Sequence, residues 1–293
     1  MPKIIVYILA SFYNEVVQER NISNAAKRLH ISQPTLSRQL MDLEEKLGAT
    51  LFERGHRQIK LTQEGYYLYV RAQEITGLVD KTETDLQSQN VISGTLDIGA
   101  GESTAIQPVM TVIGDIIKKY PDVKINLVSG DSDLIYQRLN NGTLDFGIII
   151  GPEKLLNYHS VSLPQNNIWG ILVRKDQLIA EKEKITPQDL IGLPILTSAQ
   201  SKQQDVFRSW AGSLIDQFNF IGQYNLIFNA RLLVETGACV ALTYQNLINI
   251  TGTDLAFRPL TPTVTDQNNL IWNKNRQLSN VAQVFLNRLK EVQ

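Results

Sequence analysis

The chain has 293 residues, 43% of them hydrophobic, enough to bury more than one core, so two or three domains are expected. Its net charge of −1 conceals an asymmetry: residues 1–62 hold nine Lys/Arg against six Asp/Glu, a surplus of +3, which leaves −4 on the rest and suits a protein that offers one end to DNA. The lone cysteine, Cys239, excludes an internal disulfide, and no His/Cys cluster has zinc spacing; a reducing cytoplasm is the natural setting, with neither metal nor cofactor expected.

The run Ile4-Ile-Val-Tyr-Ile-Leu-Ala10 after Lys3 is long enough for a short signal-peptide core. Leu9, Phe12, Tyr13, Val16 and Val17 carry the apolar pattern on at helical spacing, which favours an amphipathic first helix. No stretch approaches the roughly 18 apolar residues of a membrane span. Two helix starts separated by a short turn follow. Ser23 can cap a short helix whose Ala25 and Ala26 allow a close crossing and whose Leu29 anchors it; His30 and Ile31 make the turn. Ser32 can cap a second helix with Pro34 in its first turn and with Leu36, Leu40, Leu43 and Leu47 facing the core. The opposite face of this helix-turn-helix carries Gln33, Thr35, Ser37, Arg38 and Met41, mostly side chains that bond to base edges or phosphates. From Leu51 to Leu61 two short strands flank a turn at Gly55, the wing of a winged helix, with Arg54 and Arg57 near its tip in reach of a phosphate or the minor groove.

Asn24-Ala-Ala-Lys-Arg-Leu29, Ser32-Gln-Pro-Thr-Leu-Ser-Arg-Gln-Leu40, Leu43-Glu-Glu-Lys-Leu-Gly48, Leu51-Phe-Glu-Arg54 and Leu61-Thr-Gln-Glu-Gly65 together resemble the amino-terminal signature of LysR-type transcriptional regulators. The resemblance departs at Asn21 and Ile22, where that family commonly has Ser and Phe. It implies a sequence-specific DNA-binding regulator, not an enzyme, with DNA contacts from Ser32, Gln33, Pro34, Thr35, Ser37, Arg38, Arg54 and Arg57. It further implies a homodimer or homotetramer that meets the transcription machinery and responds to a small-molecule effector.

Thr62 can cap a third segment over residues 63–91, in which Leu68, Ala72, Ile75, Val79, Thr82 and Leu86 form a heptad seam. The resemblance implies a linker helix that pairs with its copy through Leu68, Ile75, Val79 and Leu86; packing of the stripe on its own chain is the other reading. The expected domains are thus a winged helix-turn-helix over 1–62, a linker over 63–92 and an effector-binding domain over 93–293.

Beyond Ser93 strands alternate with helices: strands at 95–99, 123–128 and 144–150, helices at 106–120 and 133–141, then strands at 168–173, 194–197, 240–243, 255–258 and 269–273 with helices near 206–215, 231–236 and 280–290. This alternation predicts an α/β fold with a parallel sheet covered on both faces. By resemblance to the family's effector domain, and to periplasmic solute-binding proteins, it forms two lobes, 93–163 plus 265–293 and 164–264, with a ligand cleft between them.

Gly99-Ala-Gly-Glu-Ser-Thr104 falls short of a dinucleotide fingerprint, since Thr104 replaces the third glycine and no acidic ribose ligand ends the next strand. It still makes a polar cradle, as do Ser129-Gly-Asp-Ser-Asp133 and Thr197-Ser-Ala-Gln-Ser201. The expected effector contacts are Gly101, Glu102, Ser103, Thr104, Gly130, Ser132, Thr197 and Ser198, suited to a small polar or singly anionic molecule. Glu102 and Asp131, if they face the cleft, disfavour a multiply anionic one. Gly237 permits a tight helix-to-strand turn beside Cys239, a small core residue. His30, His56 and His159 lack a Ser or Cys in a nucleophile context, and Glu44-Glu45 reads as a solvated helix face. The rival functions are a constitutive DNA-binding regulator whose α/β body only oligomerises, and a solute-binding protein.

Overall fold

The computed structural model describes residues 3–53, 59–87, 92–151, 155–199 and 204–292, which fall into two compact units, Met1–Gln89 and Asn90–Gln293. No helix among the described residues is long and apolar enough to cross a membrane.

In the first unit α1 (Lys3–Glu19), α2 (Ile22–Arg28) and α3 (Gln33–Leu47) precede a two-stranded antiparallel ribbon, β1 (Phe52–Glu53) and β2 (Lys60–Leu61), and a long helix, α4 (Gln63–Gln87). Ala25 and Ala26 are fully buried beside Tyr13, Val16, Leu36, Leu40 and Leu51, so their small side chains do permit the close crossing of α2. The cap of α2 differs from expectation. Asn21, in extended backbone, accepts the Asn24 N–H at 3.0 Å, and Ser23 is exposed within the first turn. His30 takes the left-handed conformation (φ 55°) that turns the chain into α3. Ser32 caps α3 through the Thr35 N–H, and Gly48 (φ 63°) ends it with its N–H on the Glu44 and Glu45 carbonyls. Leu47 is 51% exposed, because the last turn of α3 extends past the small core.

Thr62 starts α4 as expected, accepting the Gly65 N–H at 2.9 Å. The heptad seam does not stay whole. Ala72 is buried and Leu68 half-buried in the core of this unit, where the Tyr13 hydroxyl donates to the Gly65 carbonyl (2.8 Å) and the Asn14 amide to Thr76 Oγ1 (3.2 Å). Leu68 is therefore occupied on its own chain, since α1 packs along the first half of α4. Farther along, Ile75 and Leu78 are exposed and Val79 is half-buried; the Leu86 side chain lies outside the described residues.

The second unit is built on β3 (Gly94–Ala100), α5 (Gln107–Lys119), β4 (Val123–Ser129), α6 (Ser132–Asn141), β5 (Phe146–Ile150), β6 (Tyr158–Arg174), β7 (Pro194–Ser198), α7 (Gln204–Ala211), β8 (Asn219–Tyr224), α8 (Ile227–Glu235), β9 (Val240–Tyr244), β10 (Leu255–Pro259), β11 (Thr265–Asn273) and α9 (Asn280–Val292). The strand order is β4-β3-β5-β11-β6-β9-β7-β8, with β10 on β6. The sheet is mixed rather than purely parallel. Strands joined through helices, β3 to β4 and β5 and β7 to β8 and β9, run parallel, whereas β11 runs antiparallel to β5 and β6, and β6 antiparallel to β9 and β10.

Strand β6 extends through Pro164 and the polar Gln165-Asn166-Asn167, which disguise its continuity in sequence. Along it the buried partners change. Leu163 belongs to a core with Phe146, Leu270 and Phe285, whereas Trp169, Ile171 and Val173 belong to another with Phe207, Val240 and Leu260. On β11 and the segment before it, Val264 lies in the second core and Leu270 in the first. The chain thus passes between two lobes twice. Strand β8 carries little strand signal in the sequence, because Asn219, Gly222 and Gln223 dilute it.

Candidate nucleic-acid interface and effector cavity

On α3 the apolar residues Leu36 and Leu40 point inward, and helical periodicity leaves Gln33, Pro34, Thr35, Arg38 and Met41 exposed on the other side with Ser37 half-buried. Gln33 Nε2 donates to Ser37 Oγ (2.7 Å), and Ser32 Oγ lies 2.7 Å from Thr35 Oγ1 while accepting the Thr35 N–H. These bonds hold short polar groups in a fixed array in the first turn of the helix, next to the long Arg38. Ser32 is engaged as the cap, so its hydroxyl has less freedom than its neighbours. Arg54 and Arg57, expected at the wing tip, lie outside the described residues; the paired strands that would carry them are present.

Two further contacts tie the elements of this unit together. Arg28 forms ion pairs with Glu15 (2.8 Å) and Glu19 (2.7 Å), clamping α2 to α1. Glu44 is no idle surface carboxylate. Its Oε1 accepts the Leu51 N–H (2.7 Å) and the Phe52 N–H (3.3 Å), fastening the start of the wing to α3.

In the second unit a cavity of about 40 Å³ lies between the lobes. Of the expected contacts, Gly101, Glu102, Gly130, Ser132 and Ser198 line it. Ser103, Thr104 and Thr197 do not. Ser103 is buried where β6 and β11 pass between lobes, donating to Asn167 Oδ1 (2.5 Å) and accepting from Asn268 Nδ2 (2.8 Å) and the Ala105 N–H (3.0 Å), so its hydroxyl is saturated by protein. Thr104 is exposed at the start of a 3-10 turn, and Thr197 precedes Ser198 on β7, where successive side chains point to opposite faces. Asp131 spends an oxygen on the Leu134 N–H (2.9 Å), capping α6.

Most of the remaining wall comes from strands and their carboxyl ends: Ile148, Ile149, Ile150, Trp169, Tyr224, Thr243 and Tyr244 are in it, with Ile135 of α6. Sequence reasoning missed these residues; only the rule that ligands lie beyond strand ends could have singled out Thr243 and Tyr244. Asp266 Oδ2 accepts Trp169 Nε1–H (2.6 Å) and the Tyr244 hydroxyl (2.8 Å), locking two aromatic walls from behind. The Tyr224 hydroxyl donates to the Leu242 carbonyl (2.6 Å). Burial raises its pKa, and the Glu102 charge adds to the rise. Glu102 Oε2 crosses the cleft to accept the Ile227 N–H (3.0 Å) at the start of α8.

A family model described as "Bacterial regulatory helix-turn-helix protein, lysR family" matches residues 11–66, and one described as "LysR substrate binding domain" matches residues 89–293. The chain belongs to the LysR family. The first of these models describes bacterial regulatory helix-turn-helix proteins. A "Probable RuBisCO transcriptional regulator" of Porphyra purpurea is 31% identical over 240 residues, 80% of this chain and 76% of that protein. Another so described, from Emiliania huxleyi, is 31% identical over 180 residues, 60% of this chain but 57% of that protein, so the match spans little more than half of its length. The fold of this LysR-type regulator is that of full-length CbnR solved with its target DNA, at a TM-score of 0.75, 19% identity and coverage of 98% of this chain and 99% of the other.

Proposed function

We propose that this regulator reads a dyad-related DNA site in the cytoplasm through Gln33, Pro34, Thr35, Ser37 and Arg38, with Ser32 setting the helix and Arg54 and Arg57 adding backbone or minor-groove contacts. The observation that carries this reading is the exposed polar array at the start of α3, whose side chains are fixed by the Gln33–Ser37 and Ser32–Thr35 hydrogen bonds. A small molecule in the inter-lobe cavity, in contact with Gly101, Glu102, Gly130, Ser132 and Ser198, modulates DNA engagement by changing how far the lobes close.

Arg38→Ala and Gln33→Ala are expected to weaken specific binding by about 1–3 kcal/mol each and to relax sequence preference, as lost base contacts do. Footprinting and titration on the protein's own upstream region measure this; unchanged affinity of Arg38→Ala for the best site at physiological salt would refute the reading head.

Two copies pair through the exposed part of α4 about Ile75 and Val79. Ile75 is 39% exposed in the single chain, so Ile75→Asp spares the fold but buries a charge on pairing. Dimer dissociation should rise by about 100-fold or more, some 2.7 kcal/mol, visible by sedimentation at micromolar concentration. An unaltered oligomer would assign pairing to other surfaces.

A further inference from the structure

Among the described residues that line it, the inter-lobe cavity has a charge of one sign. Glu102 is a carboxylate in its lining, and no lysine, arginine or histidine is among the described lining residues. Two helix N-termini that could hold an anion there are already taken by acidic side chains, that of α6 by Asp131 and that of α8 by Glu102 reaching across from the other lobe. The rings of Trp169, Tyr224 and Tyr244 share the lining with Glu102, the first and last polarised by the buried Asp266 carboxylate. Thr243 Oγ1 adds an independent sign of a ligand. It sits in the lining, its residue is 2% exposed, and it has no hydrogen-bond partner among the described residues.

Resting on the effector-site reading above, we infer that the cavity takes a small cationic group, a primary ammonium, held by the Glu102 carboxylate, the Thr243 hydroxyl and the aromatic walls. A carboxylate ligand would face Glu102 with no cation among the described lining residues to neutralise it and would have to displace Glu102 from the Ile227 N–H. An ammonium instead gains the charge of Glu102, an acceptor in Thr243 Oγ1 and the negative ring faces. The volume of about 40 Å³ admits only a compact head, since each water-sized group needs roughly 10–15 Å³. The rest of the effector would lie toward the mouth of the cleft.

The test is thermal melting of the full chain with ethanolamine or 1,4-diaminobutane as chloride salts, beside glycolate or succinate as sodium salts, at tens of millimolar and matched ionic strength. The amines should raise Tm by about 3–6 °C at ten times Kd, and the carboxylates should not. Glu102→Gln, which keeps an acceptor for Ile227 but removes the charge, should lose the amine response. Thr243→Val should weaken it several-fold, and serves if Glu102→Gln melts without cooperativity. Ser198→Phe, which fills the cavity, should abolish every response.

A carboxylate response in the parent that Ser198→Phe removes would overturn the charge assignment and leave the effector site standing. An amine response that survives Ser198→Phe would overturn both. An amine response retained in full by Glu102→Gln, or no response to either amine, also overturns the inference.

Discussion

Gly65→Ala is expected to abolish specific DNA binding by disrupting the amino-terminal unit. A Cβ at this position would stand 2.1 Å from the Leu51 carbonyl oxygen and 3.0 Å from both the Leu51 carbonyl carbon and the Tyr13 hydroxyl. The obstructing atoms cannot retreat. The Leu51 carbonyl accepts the Thr62 N–H at 3.1 Å, the Thr62 hydroxyl holds the Thr50 carbonyl at 2.7 Å, and the Leu51 N–H is fixed on Glu44. Alanine in place of glycine favours a helix by up to about 1 kcal/mol, but a methyl forced against pinned backbone costs about 3 kcal/mol or more. Loss of the Tyr13 to Gly65 hydrogen bond, which joins α1 to α4, would follow. Circular dichroism melts and gel shifts at low salt check this; Tyr13→Phe, which removes only that hydrogen bond, should cost about 1 kcal/mol and retain DNA binding. A Gly65→Ala protein with parental stability would mean that Leu51 can move.

Asp266→Ala should destabilise the effector domain by about 2–6 kcal/mol, because it strands two buried donors at about 1–3 kcal/mol each. Trp169 on β6 and Tyr244 on β9 both donate to the one oxygen, Oδ2, of Asp266 on β11, and their rings lie 4.1 Å apart. The carboxylate therefore joins three strands near the passage between lobes. Asp266→Asn, which can place an amide oxygen where Oδ2 was, should be much milder. Urea unfolding followed by tryptophan fluorescence gives both values, and equal stabilities for Ala and Asn would show that the hydrogen bonds contribute little. Because Trp169 and Tyr244 also wall the cavity, Asp266→Ala should blunt any ligand response even where the domain remains folded.

The helix-turn-helix was legible because its signals are local. Ser32, Pro34 and Gly48 act within a turn of the helix ends they govern, and the spacing of Leu36 and Leu40 alone orients the exposed face. Locality also explains the error at α2. Asn21 and Ser23 are both good caps two residues apart, and only the path of the chain from α1 selects Asn21. Glu44 looked like solvated charge since its partners, the N–H groups of Leu51 and Phe52, reach it only after the chain has turned past Gly48.

By itself the sequence determined the LysR identity, the exposed polar face of α3, the paired wing strands and the two-lobe α/β body. The exposed face and the wing strands follow from caps, turn residues and apolar periods a few residues long, whereas the LysR identity and the two lobes came with the family resemblance carried by the motifs of residues 24–65. The tertiary structure alone decided that Leu68 and Ala72 serve the amino-terminal core, that β6 runs unbroken from one lobe to the other, and that Ser103 closes a buried polar triangle with Asn167 and Asn268. It also brought Glu102 to the start of α8 and set Trp169, Tyr224, Thr243 and Tyr244 around one cavity. The partners in these contacts are separated by up to 165 residues, as from Ser103 to Asn268, and no local period encodes which ends of which strands will meet.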